Sequence, residues 1–182
     1  MLHISKYWIY IMLSFLSFSV MSQTKEKADD WKRVIDTDYT FSYPMDWKLR
    51  QTGEMGTSFI LFSPAVHPDN SFNENINLII QDNSEFELNL AQYIDISVKQ
   101  LTNFYPDLDM KYNQRESDQE QSFQRMVYSG TLQEKKLQFL QYIWVTTKKV
   151  YILTATCQAS DYVLMASYLE EIMQTFRPTI NR

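Results

Sequence analysis

One histidine and several carboxylates could together hold a metal ion. His67 and Asp69 lie two residues apart in the proline-bounded segment 64–74, and the further candidates are Asp46, Glu74 and Asp82. One imidazole with carboxylate and carbonyl oxygens suits a weak calcium, manganese or zinc site. The alternative, which we prefer, is an exposed histidine in a turn. We therefore expect no cofactor, and we keep His67 and Asp69 as the candidate metal ligands.

The sequence lacks the motifs of common enzymes. Its three glycines, Gly53, Gly56 and Gly130, cannot supply a dinucleotide-binding loop or a Walker A loop, which need several glycines at fixed spacing. No G-x-S-x-G elbow exists to hold a nucleophilic serine near His67. The single cysteine, Cys157, lies in an apolar run, so we expect a buried thiol and no intramolecular disulfide. A hydrolase that uses His67 as its base is the least favoured alternative, and we predict a protein that is not an enzyme.

Three aromatic residues are the candidate binding surface. Tyr43 and Trp47 flank Pro44 and could line a groove, to which Phe72 would add a ring from segment 64–74. The alternative is a structural corner, in which the proline ends a strand and the tryptophan packs over the core, because large aromatic side chains mostly pack. We also expect the loops 51–57 and 64–74 to contact a partner, since binding loops are held on rigid scaffolds.

The first 22 residues have the pattern of a secretory signal peptide. Lys6 gives a positive start, an apolar run follows from Tyr7 to Met21, and small or medium-sized residues precede Gln23. The run is shorter than the roughly 20 residues that a membrane-spanning helix needs, and no cysteine stands at the processing site to carry a lipid. We therefore expect cleavage before Gln23, a periplasmic or extracellular location, and no stable membrane anchor.

The charge pattern narrows the choice of partner. The formal net charge is −5 at pH 7, and it becomes −6 when Lys6 is removed. The longest cationic runs are the pairs Lys135-Lys136 and Lys148-Lys149, which we expect in solvated turns between strands. Binding of nucleic acid or anionic lipid needs clusters of basic residues, so we expect neither. The length suits one domain, and we expect a monomer.

The hydrophobic pattern predicts many short strands and two helices. Asn89 and Gln92 can form a capping box at the start of a helix over residues 90–104, and Ser160 or Asp161 can begin a second helix that ends at Arg177-Pro178. Apolar residues occupy both faces of the strand at 137–147, which predicts a sheet covered on both sides. The predicted strands are 31–36, 40–43, 47–51, 58–63, 75–81, 109–115, 122–132, 137–147 and 150–157, with loops at 64–74 and 115–121. This order predicts an α+β fold with an antiparallel β-sheet flanked by helices.

The segment from Tyr39 to Trp47, YTFSYPMDW, resembles the opening strand of the PsbP-like superfamily, which includes DcrB-like bacterial envelope proteins. The segments FILFSP after Ser58 and NINLII from Asn75 fit the same pattern. The resemblance covers residues 31–178, after a signal peptide at 1–22 and a flexible lead-in at 23–30. It implies a PsbP-like α-β-α sandwich without catalytic residues. It also implies a non-enzymatic accessory role, in which the exported module binds another envelope protein; the alternative is a small-molecule or metal-binding accessory protein of the periplasm.

Overall fold

The computed structural model describes residues 30–64, 72–118 and 121–179. The described residues form ten strands and two α-helices. In chain order the strands are β1 (Trp31–Ile35), β2 (Tyr39–Pro44), β3 (Lys48–Arg50), β4 (Phe59–Phe62), β5 (Asn75–Asp82), β6 (Asp109–Ser117), β7 (Ser122–Leu132), β8 (Lys135–Val145), β9 (Lys149–Gln158) and β10 (Arg177–Pro178). The helices are α1 (Leu90–Phe104), between β5 and β6, and α2 (Tyr162–Met173), between β9 and β10. The predicted signal peptide at 1–22 lies outside the described residues, as does nearly all of the lead-in at 23–30.

Seven strands form one antiparallel sheet in the order β3-β4-β5-β9-β8-β7-β6. The last four strands of this order make a meander, because each pairs with its neighbour in the chain. Strand β5 joins the meander by pairing with β9 along its full length, from Asn75 opposite Thr156 to Asp82 opposite Lys149. The strand predicted at 109–115 continues to Ser117, so the loop predicted at 115–121 is shorter than expected.

A second, three-stranded sheet in the order β1-β2-β10 was not predicted from the sequence. Strand β2 is its centre, with Tyr39, Phe41 and Tyr43 buried on one side. The prediction that Arg177-Pro178 ends the last helix was wrong in position: α2 already ends at Met173, and Arg177 and Pro178 pair with Thr40 and Tyr39.

The two helices cover opposite faces of the large sheet. The capping box at the start of α1 is confirmed: the Asn89 side chain accepts a hydrogen bond from the Gln92 backbone N–H, and the Gln92 side chain accepts one from the Asn89 N–H, both at 3.0 Å. At the start of α2, Asp161 occupies the cap position but its side chain makes no capping bond.

Side chains along β8 point alternately to the two faces of the large sheet, so the core is divided into two clusters, as the sequence predicted. Leu140, Tyr142 and Trp144 face a cluster that is covered by α2 and the small sheet. Phe139 and Ile143 face a second cluster that is covered by α1. Gln141 lies on the α1 side and donates a hydrogen bond from its amide nitrogen to Thr154 Oγ1 at 2.8 Å, which satisfies this polar interruption of the apolar face. The predicted α+β class with a sheet flanked by helices is therefore what the chain adopts.

Candidate functional site

The loop between β3 and β4 presents a methionine in an unusual backbone conformation. Met55 has a φ angle of 53°, and 85% of the residue's surface is exposed. Its neighbours Gly53 and Gly56 also have positive φ angles, 73° and 75°, which glycine adopts without steric cost. For methionine the left-handed region costs about 1–2 kcal/mol. Among the described residues, Glu87, Gln133 and Glu134 also have positive φ angles, but only Met55 combines this strain with an exposed apolar side chain. Strained backbone occurs at functional sites, and the exposed methionine makes this loop a candidate contact site.

Hydrogen bonds hold this loop in one shape. The Thr57 hydroxyl donates to the Glu54 carbonyl at 2.7 Å, and the Thr57 backbone N–H donates to the same oxygen at 3.0 Å. At the other end of the loop, the Gln51 side-chain amide donates to the Tyr39 hydroxyl at 3.2 Å. The bonds of Thr57 close the turn within the loop, and the Ser58 backbone N–H, which donates to the Leu78 carbonyl at 2.7 Å, joins this end to β5. Met55 therefore projects from a preformed turn.

The three aromatic residues predicted as a binding surface are not brought together. Tyr43 and Trp47 expose only 7% and 2% of their surface and lie in the cluster covered by α2, where the Trp47 ring packs 5.9 Å from that of Tyr168. This burial favours the structural corner. Phe72 packs against the other cluster, on the α1 side of the sheet, with Lys135 Nζ 5.9 Å from its ring centre.

The candidate metal ligands His67 and Asp69 lie outside the described residues. Of the residues considered as their companions, Glu74 is buried and accepts a hydrogen bond from Ser63 Oγ at 3.0 Å. Asp82 accepts hydrogen bonds from the hydroxyl and backbone N–H of Ser84, and these lower the pKa of its carboxyl group. Within the described ranges, no group of three His, Cys, Asp or Glu side chains is arranged to hold a metal ion.

A cavity of about 730 Å³ opens beside the first turn of α1. Arg115, Lys148 and Lys149 are the basic residues of its lining. The charge of Lys149 is balanced by Asp38, whose Oδ1 lies 2.5 Å from Lys149 Nζ. This ion pair raises the pKa of Lys149. The charged residues of the lining are Asp38, Glu87, Arg115, Lys148 and Lys149. These residues come from four separated segments of the chain, which is why no local sequence pattern predicted the cavity.

The single thiol is unsuited to chemistry at neutral pH. Cys157 is buried in β9, and this burial raises its pKa to about 12. Because the thiolate is the nucleophilic form of cysteine, a thiol with so high a pKa is inert at pH 7. The prediction of a buried, structural cysteine is confirmed.

No protein-family model matches the sequence, and a search of curated proteins finds no match. Among solved structures, the chain is similar to the cyanobacterial PsbP protein CyanoP of Synechocystis sp. PCC 6803, with 13% sequence identity, a TM-score of 0.64, and coverage of 82% of this chain and 93% of that chain. It is similar to LpqN of Mycobacterium tuberculosis, a protein involved in cell envelope biogenesis, with 14% identity, a TM-score of 0.63, and coverage of 82% and 91%.

The chain is also similar to PA94 of Pseudomonas aeruginosa, a protein of unknown function, with 15% identity, a TM-score of 0.60, and coverage of 83% of this chain and 99% of that chain. These likenesses extend over nearly the whole of each relative. They show that the chain has a PsbP-like fold, as the segment from Tyr39 to Trp47 suggested. In the part of the chain that the structure describes, no helix has the length and apolar character needed to cross a membrane.

Proposed function

We propose that the chain is an exported, non-enzymatic accessory module that acts as a monomer and binds another protein of the cell envelope through the loop 51–57. The observation that carries this proposal is the strained and exposed Met55. The hydrogen bonds of Gln51 and Thr57 hold the strained loop in one shape, and such preorganisation lowers the entropic cost of binding. The methionine side chain is flexible and polarisable, so it adapts to an apolar partner surface.

The PsbP-like fold supports an accessory role in the envelope. One protein with this fold, LpqN, is involved in cell envelope biogenesis, and another is a cyanobacterial PsbP. Two observations agree with a non-enzymatic role. The Cys157 thiol is inert at pH 7, and the Glu74 carboxylate accepts a hydrogen bond from Ser63. The export pattern before Gln23 supports the same location.

Site-specific photo-crosslinking in the cells that produce the protein tests the contact. A photoreactive amino acid replaces Met55 in one variant and Val163 in another. Val163 is the matched control, because it is equally exposed at 86% but belongs to α2 and not to the loop. We expect one discrete adduct with an envelope protein from position 55 and none from position 163.

A charge substitution at position 55 shows whether the crosslinked protein binds Met55 specifically or is only close to it. Met55→Asp places a charge on the apolar contact and should abolish co-purification of the captured protein, whereas Val163→Asp should not. Adducts from both positions, or from position 163 alone, would refute the loop as the binding site.

The mass of the purified protein checks export in the same experiment: a chain beginning at Gln23 supports cleavage, and a chain that still contains Met1 refutes it.

A small-molecule-binding accessory protein is the second candidate function, and the cavity of about 730 Å³ beside α1 favours it. That volume lies within the range of about 300–1,000 Å³ that is typical of ligand pockets. Native mass spectrometry of the protein purified from its envelope fraction distinguishes the candidates. A reproducible extra mass of a few hundred daltons or less would favour a ligand or a metal, and a bare monomer would favour the transient protein partner.

A further inference from the structure

The methionines of the protein differ widely in their exposure. Three of the nine lie in the predicted signal peptide, and the other six are among the residues that the structure describes. Met55 is 85% exposed and Met45 is 52% exposed, whereas Met126 and Met173 are buried at 0% and 1%. The remaining two are half-buried and pack against the core clusters; they are Met110 and Met165. Met55 is therefore the most exposed methionine in the described part of the chain.

Exposure decides which of these sulfur atoms an oxidant reaches. Hydrogen peroxide oxidises the methionine thioether by two electrons: an S–O bond forms, the O–O bond breaks, and the second peroxide oxygen leaves as water. The product is methionine sulfoxide. The peroxide must contact the sulfur, and the close packing around Met126 and Met173 prevents this contact until the chain opens. At Met55 the reagent meets a side chain that the protein does not cover.

The loop also tolerates the oxidised side chain. A sulfoxide is polar, and in a protein core its oxygen would lose hydration unless it found a hydrogen-bond donor. At Met55 water supplies that donor. The hydrogen bonds that hold the loop come from the side chains of Gln51 and Thr57 and from backbone groups, so oxidation of Met55 removes none of them.

The residue type at position 55 points to a use outside the fold. Its φ angle of 53° lies in the left-handed region, which glycine or asparagine adopts at lower cost. A residue that is 85% exposed gains too little burial to offset that cost. Among the aliphatic side chains that could make an apolar contact, methionine is the one that is oxidised and restored reversibly.

We propose that Met55 is a site of reversible oxidation by peroxides, and that its sulfoxide releases the partner of the loop 51–57. The second part rests on the proposed function, in which Met55 contacts an apolar surface of another envelope protein. In that contact the sulfoxide oxygen is a buried acceptor without a donor, which weakens binding. Binding and oxidation exclude each other, because the partner covers the sulfur that the peroxide must reach.

The exposure of Met55 serves the return step as well. A methionine sulfoxide reductase reaches the side chain at the surface and takes the oxygen from its sulfur. With two thiols as the reductant, the oxygen leaves as water and the thiols form a disulfide. The chain itself supplies neither thiol, because Cys157 is its only cysteine and is buried.

Peptide mass spectrometry of the purified protein after treatment with hydrogen peroxide measures the rate at each methionine. We expect Met55 to be oxidised first, about tenfold or more faster than Met126 and Met173, with Met45 between them. In urea all methionines should react at similar rates, because the fold causes the difference. Equal rates at Met55 and Met126 in the folded protein, or a faster reaction at Met45, would overturn the oxidation site. Methionine sulfoxide reductase with dithiothreitol should then restore Met55, and a sulfoxide that persists in the folded protein would overturn reversibility.

Co-purification with the captured envelope protein tests the release. The peroxide is removed before the partner is added, so that only this chain is oxidised. Treatment should lower the affinity of the wild type for the partner by about tenfold. Met55→Leu is the matched variant, because it keeps an apolar side chain of similar size that peroxide does not oxidise, and treatment should leave its affinity unchanged. Met45→Leu is the second control and should lose affinity as the wild type does.

These measurements separate failure of the release from failure of the proposed contact. If the treated wild type binds as before, or if treated Met55→Leu loses affinity as the wild type does, oxidation of Met55 does not control the contact. If the untreated wild type captures no partner, the proposed contact is refuted and the release with it. The peptide masses decide the oxidation site in either case.

Discussion

The ring of Tyr105 lies directly against the backbone of Gly130, on the α1 side of the sheet. A Cβ atom at position 130 would be 2.4 Å from Tyr105 Cδ1 and 2.6 Å from Cγ, closer than real side-chain contacts allow. Tyr105 has little room to move, because its ring centre lies 5.5 Å from that of Phe139. Gly130→Ala should therefore lower the free energy of unfolding by about 1–3 kcal/mol, as overpacking does, measured by chemical denaturation.

A double-mutant cycle identifies the cause of that loss. In a Tyr105→Ala background the space above Gly130 is open, so Gly130→Ala should cost little or become slightly stabilising. If the alanine costs the same in both backgrounds, the contact with Tyr105 is not the reason that glycine occupies position 130.

The turn between β7 and β8 is built from residues that fit it poorly. Gln133 and Glu134 have φ angles of 48° and 67°, and a two-residue hairpin with positive φ at both positions normally contains Asn-Gly. Replacing the pair by Asn-Gly should stabilise the protein by about 1–2 kcal/mol, which corresponds to a rise in Tm of about 2–8 °C. Glu134→Ala is the control, because it removes the side chain but keeps the strain; a similar rise in that variant would contradict the explanation.

This turn also shows why part of the fold could not be predicted. The sequence predicted the cationic pair Lys135-Lys136 in a solvated turn. The hairpin instead closes at Gln133 and Glu134, which carry no turn signal, and β8 begins at Lys135. The long pairing of β7 with β8 sets the register of the hairpin. The turn must therefore form at Gln133 and Glu134, although these residues do not favour it. The capping box of Asn89 and Gln92, by contrast, depends on residues three apart, so the local sequence predicts it fully.

The sites were harder to predict than the elements. Tyr43 and Phe72 were placed on one surface, but they pack on opposite faces of the large sheet, which only the strand order decides. The cavity beside α1 joins residues from separated segments of the chain, so it has no pattern in the sequence. Loop 51–57 was predictable as a loop from its two glycines, but the strain at Met55 was not.

The ion pair between Arg125 and Glu170 connects β7 to α2 in a partly buried position. The Arg125 guanidinium also lies 4.8 Å from the Tyr112 ring centre. Arg125→Met should cost about 1–3 kcal/mol of folding free energy, because it leaves the Glu170 carboxylate without its charged partner. Glu170→Gln in the same background should recover part of that loss.

The exposed pair of Lys111 and Asp109 is the matched control for this prediction. Both side chains are largely in solvent, where an ion pair contributes at most about 1 kcal/mol. Lys111→Met should therefore change the free energy of unfolding by less than Arg125→Met does. Equal losses from the two variants in urea titrations would mean that burial does not strengthen the Arg125 pair.

Cys157 should make the stability of the fold depend on alkaline pH. Its pKa rises from about 9 to about 12 through burial in the folded chain. Because the folded pKa is the higher one, the contribution of the thiol is fully present below pH 9 and is lost between about pH 9 and 12. The free-energy difference between the wild type and Cys157→Ala should shrink over that window by about 1.4 kcal/mol per pH unit. Urea titrations of both proteins at pH 8 and pH 10.5 measure it, and the other titrating groups cancel in the comparison. A difference that stays constant between the two pH values would mean that the folded chain accommodates the thiolate.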